Sequence, residues 1–129
     1  MRNYRDLKTW YKAHKLTLEL YKASRQFPRE EMYGLTSQLR RSASSIGANL
    51  AEGCGRQTNA EFARFVRISM GSASELDYHL LLSRDLGFLE TDAYEHASKS
   101  LIEVRKMLAS LLSTVEIEAQ TKSRAVAKG

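Results

Sequence analysis

The sequence predicts an all-α protein, an antiparallel up-and-down four-helix bundle. Three observations predict it. Apolar residues recur at three- and four-residue intervals through four long segments. A single proline, Pro28, and few glycines leave those segments unbroken, which suits long helices better than many short strands. Short stretches of turn and capping residues separate them, so consecutive helices are expected to run antiparallel. At 129 residues, 43% of them hydrophobic, the chain forms one domain with a modest core.

The first helix is expected over residues 6–26. Asp6 is its predicted N-cap, and Pro28 holds Phe27 extended and ends it. Its apolar stripe reads as Leu7, Trp10, Tyr11, His14, Leu18 and Tyr21, which makes His14 a core or interface residue rather than a ligand. Lys8, Lys12, Lys15 and Lys22 fall on a separate face. That face is either a solvated lysine surface or a ridge that contacts phosphates.

The second helix, expected over 33–52, carries the most telling pattern. Leu35, Leu39, Ala43, Ile46 and Leu50 form a core seam. Arg40, Ser44, Gly47 and Ala51 form a second seam of mostly small residues, across which another helix can approach closely. Gly47 costs about 1 kcal/mol against alanine inside a helix, and close packing is the motive read for it. Gln38, Arg41, Ser45 and Glu52 share a polar side. Asn49 borders the core seam and needs a partner, because a buried unpaired amide costs about 1–3 kcal/mol. Gly53-Cys54-Gly55 ends the helix, with Gly53 expected as a left-handed cap.

The third helix, 59–86, opens with a capping box in which Thr58 is the N-cap and Glu61 reaches back. Phe62, Phe65, Val66, Ser69, Ala73, Leu76 and Leu80 make its main stripe. Ile68, Ser72, His79, Leu82 and Leu86 make a second one, and two apolar sides on one helix predict contact with another subunit. Glu75 lies near the second stripe. It is expected to pair with Arg40 or Arg41 across the second and third helices, since an unpaired buried charge is costly; the alternative is a solvated glutamate. Gly87 breaks this helix. Thr91 or Asp92 caps the fourth, 92–118, whose stripe is Tyr94, Ala97, Leu101, Val104, Leu108, Leu111, Leu112 and Val115. Residues 119–129 read as a basic flexible tail.

The net charge of +5 is unevenly spread. Residues 1–29 hold eight bases against two acids, so acidic partners are favoured at that part of the fold. The single cysteine, Cys54, forms no intrachain disulfide and no multi-cysteine metal site. Without an apolar run of membrane-spanning length or a signal peptide, the chain reads as cytoplasmic, with no membrane partner.

Catalytic patterns are lacking. His14, His79 and His96 lie on three different helix segments, and no Glu-x-x-His pair is present for a di-iron bundle. Gly53-Cys54-Gly55-Arg56 lacks the Lys-Ser/Thr of a phosphate loop. No serine sits in a Gly-x-Ser-x-Gly setting. A Cys54 thiolate near Arg56 has no histidine fixed beside it. The chain is therefore expected to be no enzyme and to need no cofactor or metal.

One long motif remains. Phe27-Pro28, Glu31, Tyr33-Gly34-Leu35-Thr36 and Gln38-Leu39-Arg40-Arg41 are followed by Ile46, Asn49, Ala51-Glu52-Gly53, Arg56, Phe65, Gly71-Ser72 and Glu75-Leu76. This pattern resembles the 23S rRNA intervening-sequence protein family of small bacterial four-helix bundles, over roughly Tyr4 to Leu112. A related branch comprises the accessory proteins of diversity-generating retroelements. The resemblance implies a homo-oligomer, a pentameric ring around a central channel. It also implies nucleic-acid and reverse-transcriptase binding through a basic surface, as in the retroelement branch. Arg40, Arg41, Asn49, Glu52 and Glu75 carry over as structural motif positions, joined by Gly47 from the packing argument and Gly53 as the expected cap. Arg56 carries over as a surface contact.

Two functions follow from these readings. The first is a non-catalytic oligomer that binds RNA or DNA through Lys8, Lys12, Lys15, Lys22 and Arg56. No helix-turn-helix, zinc-finger or RNA-recognition motif is present, so such binding would be led by phosphates, weakly sequence-specific and sensitive to salt. The second is an interaction scaffold whose basic face meets an acidic protein such as a polymerase.

Overall fold

A computed structural model describes residues 2–128, with side chains through residue 125. Four α-helices account for nearly all of it: α1 Lys8–Ala23, α2 Leu35–Cys54, α3 Asn59–Asp85 and α4 Thr91–Lys128. No strand occurs among the described residues. Each helix packs against the next, and α4 closes against α1, so the helices stand at the corners of a square. Pairings of opposite sequence order give the direction. Thr17 and Trp10 of α1 meet Ala43 and Gly47 of α2, and Arg67 and Arg105 tie α3 to α4 through Glu116 and Asp77. Every neighbour is antiparallel, as the short connections require.

The seams of α2, α3 and α4 form the core. Leu39, Ile46, Leu50, Phe62, Val66, Leu76, Leu80, Leu101, Val104 and Leu108 are all fully buried. Two hydroxyls reach across the helix interfaces. Ser69 donates to the Ile46 carbonyl at 2.8 Å, and Thr17 to the Ala43 carbonyl at 3.1 Å.

Helix α1 departs from its predicted stripe. Its buried residues are Thr9, Ala13, Leu16, Thr17 and Leu20, whereas Tyr11, His14, Leu18 and Tyr21 are exposed. The core stripe contains two threonines and an alanine, so side-chain size alone points to the wrong face. Thr17 is tolerated in the core because its hydroxyl is satisfied by two backbone carbonyls.

The helix ends also differ in places. Asp6 does not cap α1: it belongs to a single 3-10 turn, Tyr4–Asp6, capped by the Asn3 side chain, and Leu7 enters α1 without a side-chain cap. Gly53 is helical rather than left-handed, and among the described residues only Gly87 has positive φ, at 78°. Gly87 ends α3 in a Schellman motif, with Phe88 N–H bonded to Ser83 O and Gly87 N–H to Arg84 O. Thr58 caps α3 by accepting from Glu61 N–H at 3.1 Å. Helix α4 does not stop near Glu118 but continues to Lys128. Nothing between Glu118 and Gly129 breaks a helix, and Ala119, Gln120, Lys122, Arg124 and Ala125 all favour one. The side chains of residues 126–129, part of the predicted basic tail, lie outside the described residues.

Candidate nucleic-acid interface

Lys8, Lys12, Lys15 and Lys22 are all exposed on α1. The helical repeat places them towards α4, and that helix adds what the sequence reading missed. Exposed Lys99 and Lys106 lie close enough to Glu103 to act on its charge. Glu103 is ion-paired to Lys12. The hydrogen bond and charge of Lys12 hold its carboxyl below the ordinary glutamate range, and Lys99 and Lys106 add to the effect. A cleft of about 320 Å³ runs between α1 and α4, lined by Lys12, Lys15, Glu19, His96, Lys99 and Glu103 among others. A second tie, His96 Nε2 to Glu19 Oε2 at 3.1 Å, bridges it.

Glu19 stands in the lysine row between Lys15 and Lys22, so the row is interrupted by one acid. The signal that would have found the α4 lysines is the pairing of α1 with α4, which no local pattern in either helix contains.

Arg56 does not join this face. It stands just beyond α2, hydrogen-bonded to Glu52 at 2.9 Å with its guanidinium 4.7 Å from the Phe65 ring centre on α3. Its charge is already met by an acid one turn away.

The motif residues divide into packing and local ties. Gly53 is buried because a Cβ there would lie 2.8 Å from both Phe62 Cδ1 and Phe65 Cβ. Gly47 sits under the Trp10 indole, where a Cβ would come within 3.3 Å of Nε1. Close approach is thus the reason for both glycines. Asn49 donates to the Ser45 carbonyl at 2.8 Å within its own helix. Arg41 is exposed. Arg40 is anchored to α1, donating to Ser24 Oγ at 2.8 Å and to Tyr21 O at 3.2 Å. Glu75 pairs with neither arginine. It is exposed and meets buried His79 one turn on, at 3.2 Å, because the α3 surface offers it that closer partner.

The other side of α1 is a different surface. Trp10 and His14 stack in parallel, 4.8 Å between ring centres. With Leu18 and Tyr21 they wall a groove of about 390 Å³ whose floor includes Ser44, Gly47, Ala48 and Ala51 of α2. Leu18 is 58% exposed and Tyr21 41%. Much of the predicted core stripe of α1, Trp10, His14, Leu18 and Tyr21, therefore lines an open apolar groove, whereas Leu7 packs against the core and Tyr11 lies on the lysine side. On α3, the stripe expected to meet another subunit is broken by burial of His79, although Ile68 and Leu86 remain exposed.

Cys54 is buried, and burial pushes its thiol up from 9.0, partly offset by the charge of Arg2. It is poorly placed to be a nucleophile. No group of three potential metal ligands, and no helix long and apolar enough to cross a membrane, occurs among the described residues.

No curated protein matches the chain. Among solved structures, it is similar to a protein of unknown function from the S23 ribosomal protein family of Bacteroides thetaiotaomicron VPI-5482. The TM-score is 0.75 at 24% identity, over 81% of this chain and 95% of that one. That likeness establishes the shared fold. The family model described as 23S rRNA-intervening sequence protein matches residues 5–110, most of the bundle and the whole of the motif quoted above, and the chain belongs to that family.

Proposed function

We propose that this protein is a non-catalytic, cytoplasmic homo-oligomer that binds the backbone of RNA or DNA through the α1 lysine row, extended by Lys99 and Lys106 of α4. One observation carries the reading. Among the described residues, Lys8, Lys15, Lys22, Lys99 and Lys106 are exposed, form no ion pair and lie on the two helices that flank one cleft, whereas α2 and α3 mix paired Arg67 and Arg84 with unpaired Arg41 and Arg64. Unpaired lysines in a row meet phosphates without first giving up a partner, and their binding is driven by counterion release. The apolar groove on the other side of α1 is the surface assigned to subunit contact, since grouped apolar side chains of this size mark interfaces. A pentameric ring, which family resemblance implies, would repeat the lysine row and add avidity.

The test is binding of purified protein to labelled structured RNA and duplex DNA across a salt series. Wild type is expected to bind with steep salt dependence. Lys8→Glu, Lys12→Glu and Lys15→Glu together are expected to abolish binding with the fold intact. A triple variant that binds like wild type removes the lysine row from the function.

A second reading has its own support. Beside Lys8 and Lys12 lies a cleft of about 360 Å³ that includes Leu7, Tyr11 and Met107, and such mixed apolar and basic surface suits an acidic protein partner. That reading requires a stoichiometric protein that stays bound after nuclease treatment.

A further inference from the structure

The connection from α1 to α2 closes over a separate pocket of about 200 Å³. Ser24, Arg25, Phe27, Arg29, Thr36 and Arg40 are among its lining residues, and no acidic residue is. Among the described residues, none of these three arginines is paired with a carboxylate. Arg40 is held in place by Ser24 Oγ and the Tyr21 carbonyl, with its guanidinium 4.9 Å from the Tyr21 ring centre. Those bonds use two of its five N–H groups.

Thr36 supplies an independent observation. It is 7% exposed, and its hydroxyl is buried without a hydrogen-bond partner. A native fold rarely leaves such a group unpaired, because the cost is about 1–3 kcal/mol. Thr36 also stands in the first turn of a 20-residue helix, at the positive pole of its dipole. One N–H of that end, Leu35's, already meets the Glu31 carboxylate at 3.4 Å, outside the pocket lining.

We propose that this pocket binds a phosphate monoester group. Arg25, Arg29 and Arg40 take its oxygens, and the Thr36 hydroxyl donates the hydrogen bond it otherwise lacks. Guanidinium forks match a tetrahedral oxyanion, and a dianion answers three cations better than a carboxylate does. The volume is below the roughly 300–1,000 Å³ of pockets that enclose whole small molecules, so the phosphate enters and the rest of its carrier stays outside. The site uses none of the lysines assigned to nucleic-acid backbone and stands apart from that reading.

The experiment is calorimetric titration and thermal melting of the full chain with inorganic phosphate, against chloride at equal ionic strength. Wild type is expected to bind phosphate and to melt at a higher temperature in its presence. Arg25→Gln with Arg29→Gln changes two exposed side chains and should lower phosphate affinity about tenfold or more with the fold unaltered. Thr36→Val should weaken phosphate several-fold while melting no lower than wild type without it. The Lys8, Lys12 and Lys15 triple variant should bind phosphate unchanged. Displacement by adenosine 5′-monophosphate but not by adenosine assigns the site to a terminal phosphate of a nucleotide or nucleic acid. Phosphate binding that the monophosphate does not displace confines the site to the free ion and overturns the monoester assignment. No phosphate effect beyond that of chloride, or wild-type affinity in the double arginine variant, overturns the proposal.

Discussion

Replacing Gly53 by alanine, beside the same change at Gly71, isolates the packing energy between α2 and α3. Alanine gains about 1 kcal/mol over glycine inside a helix wherever there is room for the methyl. At Gly71 nothing lies within 4 Å of the added carbon, so Gly71→Ala should stabilise by up to about 1 kcal/mol. At Gly53 the methyl meets Phe62 Cδ1 and Phe65 Cβ, both at 2.8 Å. Phe62 is completely buried and Phe65 Cβ is fixed to the backbone of α3, so the helices themselves must part. Overpacking of this kind costs about 1–3 kcal/mol. After the helical gain, Gly53→Ala should destabilise by up to about 2 kcal/mol. A domain of 129 residues moves by about 3–5 °C per kcal/mol. Thermal and urea melts of both variants, at matched native mass, should therefore shift in opposite directions. Two shifts of the same sign and similar size would refute the close-approach account of Gly53.

Further outcomes are expected at the groove, at Glu103 and at Cys54. Leu18→Asp with Tyr21→Asp places charges in the α1–α2 groove, so native mass should fall from that of the proposed oligomer, about five times 14.6 kDa for a pentamer, to that of one chain with helicity retained; an unchanged mass would move the subunit contact elsewhere. Glu103→Gln frees Lys12 and should tighten nucleic-acid binding a few-fold, as a salt series would show. In the wild type, the Glu103 carboxyl should titrate below the ordinary 4.5 by NMR; because its folded value is depressed, the tie to Lys12 is present above the ordinary value and lost as pH falls through the lower one. Cys54, pushed above 9.0 by burial, should react with thiol reagents only as fast as the chain opens, and its contribution to stability should fade as pH rises past 9.0.

The fold was legible where size and periodicity agree. Leu35, Leu39, Ala43, Ile46 and Leu50 are buried as a row, as are Phe62, Phe65, Val66, Ser69, Ala73, Leu76 and Leu80. On α1 the two signals conflict. Trp10, Tyr11, Leu18 and Tyr21 are larger than Thr9, Ala13 and Thr17, yet the smaller residues face the core beside Leu16 and Leu20, and Trp10 packs only at its edge. What decides is the close approach of Thr17 to Ala43 of α2, a long-range property. The lysine row was legible because helical spacing alone places it. Its continuation on α4, the turning of Glu75 to His79 and the arginine-lined pocket were not, since each depends on side chains that the fold brings together or keeps apart.

Buried hydroxyls hold α2 from both sides, Thr17 at the Ala43 carbonyl and Ser69 at the Ile46 carbonyl. Sliding α2 by one residue would orphan both, so α1, α2 and α3 behave as a single block with one register. Helix α4 is joined differently. Among the described residues, its side-chain hydrogen bonds and ion pairs to the other segments, through Glu103, His96, Arg105, Glu116 and Glu118, are all at the solvent-exposed surface. Exposed ties of this kind are weak and screened by salt, so α4 is seated by its apolar side, where Ala97, Leu101, Val104, Leu108 and Val115 are buried and close packing sets its position. The two kinds of joint answer to different perturbations: loss of a hydroxyl unsettles the register of α2, and a change of side-chain volume unsettles α4. The lysine-lined cleft lies along the α1–α4 joint, so an anion that draws Lys12 from Glu103 alters a surface tie there and leaves the packed seam beneath it intact.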